Sequence, residues 1–202
     1  MDPEQQVKFL EDHLESVLVK INTDLRFSEP VSSKKLHEVQ SLLEKLFVPN
    51  DQVTKNNLYR CHYTLMHFQD MQAYVPSNEL LDRIKDQLKL FQKMLLSSLK
   101  PSNSLDVEAK KIYEWREAGF KSLYRNRDLA NELLIFLDSI SFQYKDIEKI
   151  PKEIAFHLYD LIITFMNEGE FSDRTSTQFD REKLEVELFF DICDKVRNIY
   201  IS

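Results

Sequence analysis

Apolar side chains recur every three or four residues along most of the chain, the spacing that lines one face of an α-helix. The first such stripe is Leu10, Leu14, Val17, Leu18, Ile21 and Leu25, and it predicts a helix from about Pro3 to Leu25. After a polar loop over Ser28–Ser33, the residues Leu36, Val39, Leu42, Leu43 and Leu46 predict a second. Val48-Pro49-Asn50 interrupts it, and Asn50 or Asp51 is the expected N-cap of a third helix reaching about Tyr74. There Leu58, Cys61, Leu65 and Phe68 face inward, and Tyr59, Tyr63 and Met66 widen the stripe. A helix apolar nearly all round is expected to be central and buried. The fourth helix starts at Pro76-Ser77 and carries Leu81, Ile84, Leu88, Phe91, Leu95 and Leu99. Its other face alternates in charge from Asp82 to Lys93, which reads as a solvated surface.

The second half repeats this style. A fifth helix ends at about Arg127, and at 100° per residue Leu105, Ile112, Trp115, Gly119 and Leu123 form its core stripe. Asn126-Arg127-Asp128 separates it from a sixth, with Leu129, Leu133, Phe136, Leu137 and Ile140 inward. Residues 141–150 are aromatic and β-branched and read as extended or turned. Pro151 opens a seventh helix holding Ile154, Leu158, Leu161, Ile162 and Phe165, because proline is tolerated in a helix's first turn. Asn167–Asp180 is the longest polar loop, of a kind that often carries function. An eighth helix runs from about Arg181 to Tyr200. All six prolines, at positions 3, 30, 49, 76, 101 and 151, fall between these segments, where a residue without an N–H does least harm.

The expectation is an all-α protein of about eight helices, a bundle or a short solenoid-like stack of helical hairpins. The helices show no fixed period of a named repeat family. Lys100-Pro101-Ser102-Asn103-Ser104 is the clearest mid-chain loop and the place where a weak division would fall. Each half is small, so residues 1–202 read as one domain.

Composition narrows the function classes. Only two of the 202 residues are glycine, Gly119 and Gly169, against a usual ~7%. Phosphate-cradling loops need glycine where backbone closely approaches the ligand, so neither a dinucleotide fingerprint nor a P-loop fits. The five histidines, at 13, 37, 62, 67 and 157, form no HExxH and no Glu-x-x-His pair, and no metal or cofactor is expected. Cys61 and Cys193 are too few for a disulfide framework. Each reads as a small buried hydrophobe, and Cys193 lies between Asp191 and Asp194, which disfavour a thiolate. No apolar run reaches membrane-spanning length, and the N-terminus is acidic where a secretory signal would be basic and then apolar. The expected setting is intracellular, cytoplasm or nucleus.

Charge supplies the remaining lead. The net charge is −7, which disfavours broad nucleic-acid binding driven by counterion release. Within this acidic chain, residues 110–127 hold six basic side chains (110, 111, 116, 121, 125, 127) and two acidic ones (114, 117), a net of 6 − 2 = +4. Beside the core stripe, a single helix would align Tyr113, Arg116, Phe120, Tyr124 and Arg127, with Lys121 and Arg125 close by. Guanidiniums among aromatics suit an acidic or phosphorylated peptide, or stacked RNA bases; the alternative is that they pair with carboxylates of neighbouring helices. Phe142, Tyr144, Phe171, Phe179 and Tyr200, which fall off the helical stripes, are further candidates for a partner surface. Without a catalytic signature, the leading expectation is a non-enzymatic interaction or adaptor subunit of an intracellular complex with protein partners. Recognition of an acidic or phosphorylated peptide or RNA through residues 110–127 is the second.

Overall fold

The structure, a computed structural model, describes residues 2–72, 75, 77–101, 106–168 and 179–202, and only the backbone of residues 179–184. Leu105, Phe171, the side chain of Phe179 and most of the expected 167–180 loop lie outside the described residues. Within them the chain is all-α, with nine helices and two three-residue extended segments. By its internal contacts it forms two compact units, Met1–Lys100 and Pro101–Ser202. The boundary falls in the Pro101 loop that the sequence marks as its clearest mid-chain break.

The first unit contains α1 (Pro3–Arg26), α2 (Ser33–Phe47), β1 (Gln52–Thr54), α3 (Lys55–Met71) and α4 (Asn78–Leu99). The expected stripes are its core: Leu14, Val17, Leu18, Ile21 and Leu25 of α1 are 0–1% exposed, and Leu43, Leu58, Leu65, Phe68, Phe91 and Leu95 are fully buried. The helix α1 packs on α2 and α3, and α4 closes the ring against both. Polar staples fix the geometry. Gln87 of α4 grips the α1–α2 loop through both backbone groups of Val31, at 3.1 and 2.6 Å. Glu11 accepts hydrogen bonds from Thr54 and Asn57 at the start of α3, at 3.0 and 3.1 Å. Helix α3 starts at Lys55, later than the Asn50 cap predicts. Asn50 instead closes the end of α2 by donating to the Leu46 carbonyl at 2.7 Å. As its all-round apolarity predicts, α3 is mostly buried.

The second unit contains α5 (Val107–Ala118), α6 (Phe120–Arg125), α7 (Arg127–Gln143), β2 (Lys149–Pro151), α8 (Lys152–Glu168) and α9 (Phe179–Ile201). The expected single fifth helix is therefore two. Gly119 separates them at φ 75° and ψ 154°, a region that residues with a Cβ avoid. The N–H of Phe120, freed by this break, donates to the Glu168 carboxylate at 2.8 Å. That carboxylate stands where a Cβ on Gly119 would come within 3.2 Å of it.

Both units repeat one design. In the second, α5 packs on α8, α6 on α7, α7 on α9 and α8 on α9, the same ring once α5 and α6 together are matched to α1. Burial follows position by position. Leu36, Val39, Leu43 and Leu46 of α2 correspond to Ala130, Leu133, Leu137 and Ile140 of α7, each pair 94 residues apart, and all eight are buried. Their N-caps, Ser32 and Asn126, share that spacing (126 − 32 = 94) and each caps the third residue on. Val53 and Ile150 correspond at 97, as do the buried lysines Lys55 and Lys152 and the core phenylalanines Phe68 and Phe165. In α4 and α9, Leu88, Phe91, Leu95 and Leu99 match Phe189, Ile192, Val196 and Tyr200 at 101.

The Gly119 joint is testable. Gly119→Ala should lower unfolding free energy by about 1–3 kcal/mol through backbone strain. Glu168→Ala should cost about 1 kcal/mol by leaving the Phe120 N–H without its carboxylate partner. Urea titration of the two variants measures both, and a Gly119→Ala protein as stable as the parent would refute the strain assignment.

Candidate functional site

The break at Gly119 sorts the seven candidate residues into three groups. Upstream of it, Arg116 turns toward α8. Its Nε lies 3.1 Å from Asp160, whose side chain is 16% exposed, and its guanidinium also pairs with Glu117. Burial lowers the Arg116 pKa, but the Asp160 and Glu117 carboxylates outweigh it and leave it above its ordinary value. For Asp160 the balance is reversed: burial raises its pKa, and Arg116 only partly offsets this. The two directions agree that this is a partly desolvated ion pair, in which the carboxylate is the costlier partner to bury. Tyr113, 43% exposed, sets its ring edge-on to His157 at 5.9 Å.

At the break, Phe120 enters the core. It is 2% exposed and packs against Phe165 and Phe189, with ring centroids 5.4 and 6.3 Å away. It therefore presents almost no surface to a partner while the unit is folded.

Downstream, Lys121 and Arg125 of α6 and Arg127 at the start of α7 are exposed, and Tyr124 is half-buried. Among the described residues none of the three cations is in an ion pair. Lys111, by contrast, lies over Trp115 and Phe136 at 5.3 and 5.7 Å, consistent with a cation–π contact. Tyr124 and Arg127 line one wall of an open groove of about 510 Å³ between the α6–α7 corner and α9. Leu134 continues that wall; Glu187, Leu188 and Asp191 form the other. The structure thus brings Lys121, Tyr124, Arg125 and Arg127 to one corner, and separates from them Tyr113, Arg116 and Phe120.

Of the aromatic partner-surface candidates, Phe142 is 80% exposed, while Tyr144 and Tyr200 are buried, Tyr200 stacked on Tyr159 at 5.8 Å. Sequence reasoning did not single out Ile135, yet it is 69% exposed. It stands seven residues before Phe142, two turns along the same side of α7. The available signal was its position off the Leu133–Leu137–Ile140 stripe.

Other chemistry is quiet. Both cysteines are buried and neither is in a disulfide, and burial pushes the Cys61 thiol up to about 12. Among the described residues no three His, Cys, Asp or Glu side chains could together hold a metal ion, and no helix is long and apolar enough to cross a membrane. Comparison with protein families, curated proteins and solved structures finds no match.

The two arginines should behave differently. Arg116→Ala strands the half-buried Asp160 carboxylate and should cost roughly 1–3 kcal/mol. Arg127→Ala should stay within about 0.5 kcal/mol of the parent. Chemical unfolding of both decides it; equal losses would mean that Arg127 is structural.

Histidines give a pH signature. Burial lowers the pKa of His157 and of His67 below the ordinary 6.5. As pH falls through that value the unfolded chain takes up protons first, so stability present above it is lost as pH drops toward the folded values. The melting temperature should fall from about pH 7.5 to about pH 5.5, and less steeply in His157→Gln. An unchanged slope in that variant would remove His157 from the account.

Proposed function

We propose that this protein is a non-enzymatic interaction subunit of an intracellular multiprotein assembly, engaging a protein partner through the outer side of α7 and the α6–α7 corner. The observation that carries this reading is the second apolar stripe on α7. Its first stripe, Leu133, Leu137 and Ile140, is fully buried, yet Ile135 and Phe142 are 69% and 80% exposed on the other side. A helix face that only meets water is normally polar, and exposed large apolar side chains at helical spacing suit a protein contact. Three cations that are in no ion pair among the described residues, at the adjacent corner of a chain of net charge −7, add an electrostatic means of selecting the partner. Two buried cysteines outside any disulfide are compatible with a reducing compartment.

Affinity capture of the tagged full chain from native extract should recover a stoichiometric partner. Ile135→Lys with Phe142→Lys should abolish that recovery while leaving the melting temperature within a few degrees, because both positions are exposed. Recovery of the unmodified chain as a lone species, or undiminished capture by the double variant, would overturn this assignment.

A further inference from the structure

We infer that the groove between the α6–α7 corner and α9 accepts an amphipathic helix of the partner whose apolar stripe is flanked by carboxylates on one side and by cations on the other; this deepens, and rests on, the interaction reading above. The groove has an apolar floor and oppositely charged walls. Leu134 and Leu188 are half-buried in it, and Leu123 and Ala130 lie beneath. Arg127 belongs to one wall and Asp191 to the other. Both are exposed, and among the described residues neither is in an ion pair. Pairing across the groove would close it. Lower on the same seam such a closure exists: Lys195 of α9 holds both carboxylate oxygens of Asp138 of α7 at 2.6 Å. Among the described residues the seam is thus sealed by an ion pair at one end and not at the other, and Lys121 and Arg125 are exposed on the adjoining corner.

Charge complementarity on both walls selects the occupant. A uniformly acidic segment meets Asp191; a uniformly basic one meets Arg127, with Lys121 and Arg125 on the adjoining corner. A helix with an apolar stripe between opposite flanks satisfies both and inserts leucine-like anchors at i, i+4 and i+7. The surface is also continuous with the exposed stripe. At 100° per residue, Arg127, Leu134 and Asn131 occupy the arc of α7 next to Phe142 and Ile135.

The first unit shows what distinguishes this groove. A groove of about 620 Å³ runs along its matching α2–α4 seam, lined by Gln40, Glu44, Val48, Leu90, Lys93 and Met94 among others. There Gln40 already donates to Glu44 at 3.0 Å, and Leu90 stands where the second unit has Asp191 (191 − 90 = 101).

Fluorescence anisotropy on the full chain tests this with three labelled helical peptides sharing one leucine stripe: glutamate on one flank and lysine on the other, glutamate on both, and lysine on both. The mixed peptide should bind at least about tenfold more tightly than either uniform one, since like charges across a contact are costly. Arg125→Glu with Arg127→Glu should lose that preference and favour the lysine peptide. Asp191→Lys should shift preference toward the glutamate peptide, a second readout should the first variant fold poorly. Equal or absent binding of all three peptides, unchanged preference in the variants, or tighter binding of a single-stranded RNA oligonucleotide would overturn the inference. If Arg125→Glu/Arg127→Glu captures the partner undiminished while Ile135→Lys/Phe142→Lys does not, the groove assignment falls and the interaction reading stands. Peptide preference without any captured partner does the reverse.

Discussion

The second unit is organised by one joint, the carboxylate of Glu168 at the end of α8 receiving the N–H of Phe120. Helix α8 is apolar on most sides, with Ile154, Leu158, Leu161, Ile162 and Phe165 fully buried, so neighbours must cover it along its length. Helix α5 covers one side through Ala109, Ile112 and Trp115. At Gly119 the chain turns, and the backbone donor released by the turn needs a partner, because an unpaired buried N–H costs about as much as a lost hydrogen bond. Glu168 supplies it. Phe120 can then drop between Phe165 and Phe189, which anchors α6 as a separate element and sets the direction in which α7 departs.

That single turn decides the fate of the basic stretch. Had residues 107–127 formed one straight helix, Arg116 and Arg127, eleven residues apart, would project nearly the same way. Because they do not, Arg116 is committed to Asp160 inside the unit, while Lys121, Arg125 and Arg127 are carried past the turn to a corner without carboxylate partners among the described residues. The first unit offers the control. Its α1 is unbroken over Pro3–Arg26; its buried Leu14, Val17 and Leu25 match the buried Ile112, Trp115 and Leu123 at a spacing of 98, and Leu18, matching Arg116 at that spacing, is 1% exposed. One ring of helices thus has two finishes: an apolar seal in the first unit, and in the second a charged joint that releases cations to the surface.

Periodicity alone made the helical class and most core positions legible, because burial dominates stability and leaves a 3.6-residue imprint in sequence. Ile112, Trp115 and Leu123 were placed correctly on that basis. Phe120 was misplaced on the flank because a wheel presumes continuous rotation. The wheel puts Gly119 in the core stripe of one helix; that it ends α5 and lets Glu168, 49 residues downstream, approach closely shows only in the structure. The duplicated design was illegible for another reason. Corresponding residues stand 98, 94, 97 and 101 apart in successive helices, since loop lengths differ between units, so no fixed period exists. Few pairs keep their identity, among them Leu43 with Leu137, Lys55 with Lys152 and Phe68 with Phe165. Packing asks only for an apolar group of roughly suitable volume at each site, which preserves burial while the letters drift.

The same logic explains why the candidate surface collects on α7. A helix in a four-member ring has neighbours on two flanks and core behind, and these demands fix Leu133, Leu137 and Ile140. The outward arc is free of them. In its counterpart α2 that arc holds Ser41 opposite Ile135, and Val48, just past the helix end, opposite Phe142, again at 94. Ser41 is polar and half-buried where Ile135 is apolar and 69% exposed, and Val48 is 54% exposed where the larger Phe142 is 80% exposed. Folding does not require apolar side chains there, and they carry a standing risk of nonspecific association. A partner that covers them, and whose flanking charges meet Arg127 and Asp191, turns that risk into specificity: the apolar stripe supplies burial and the two charged walls reject partners with the wrong flanks.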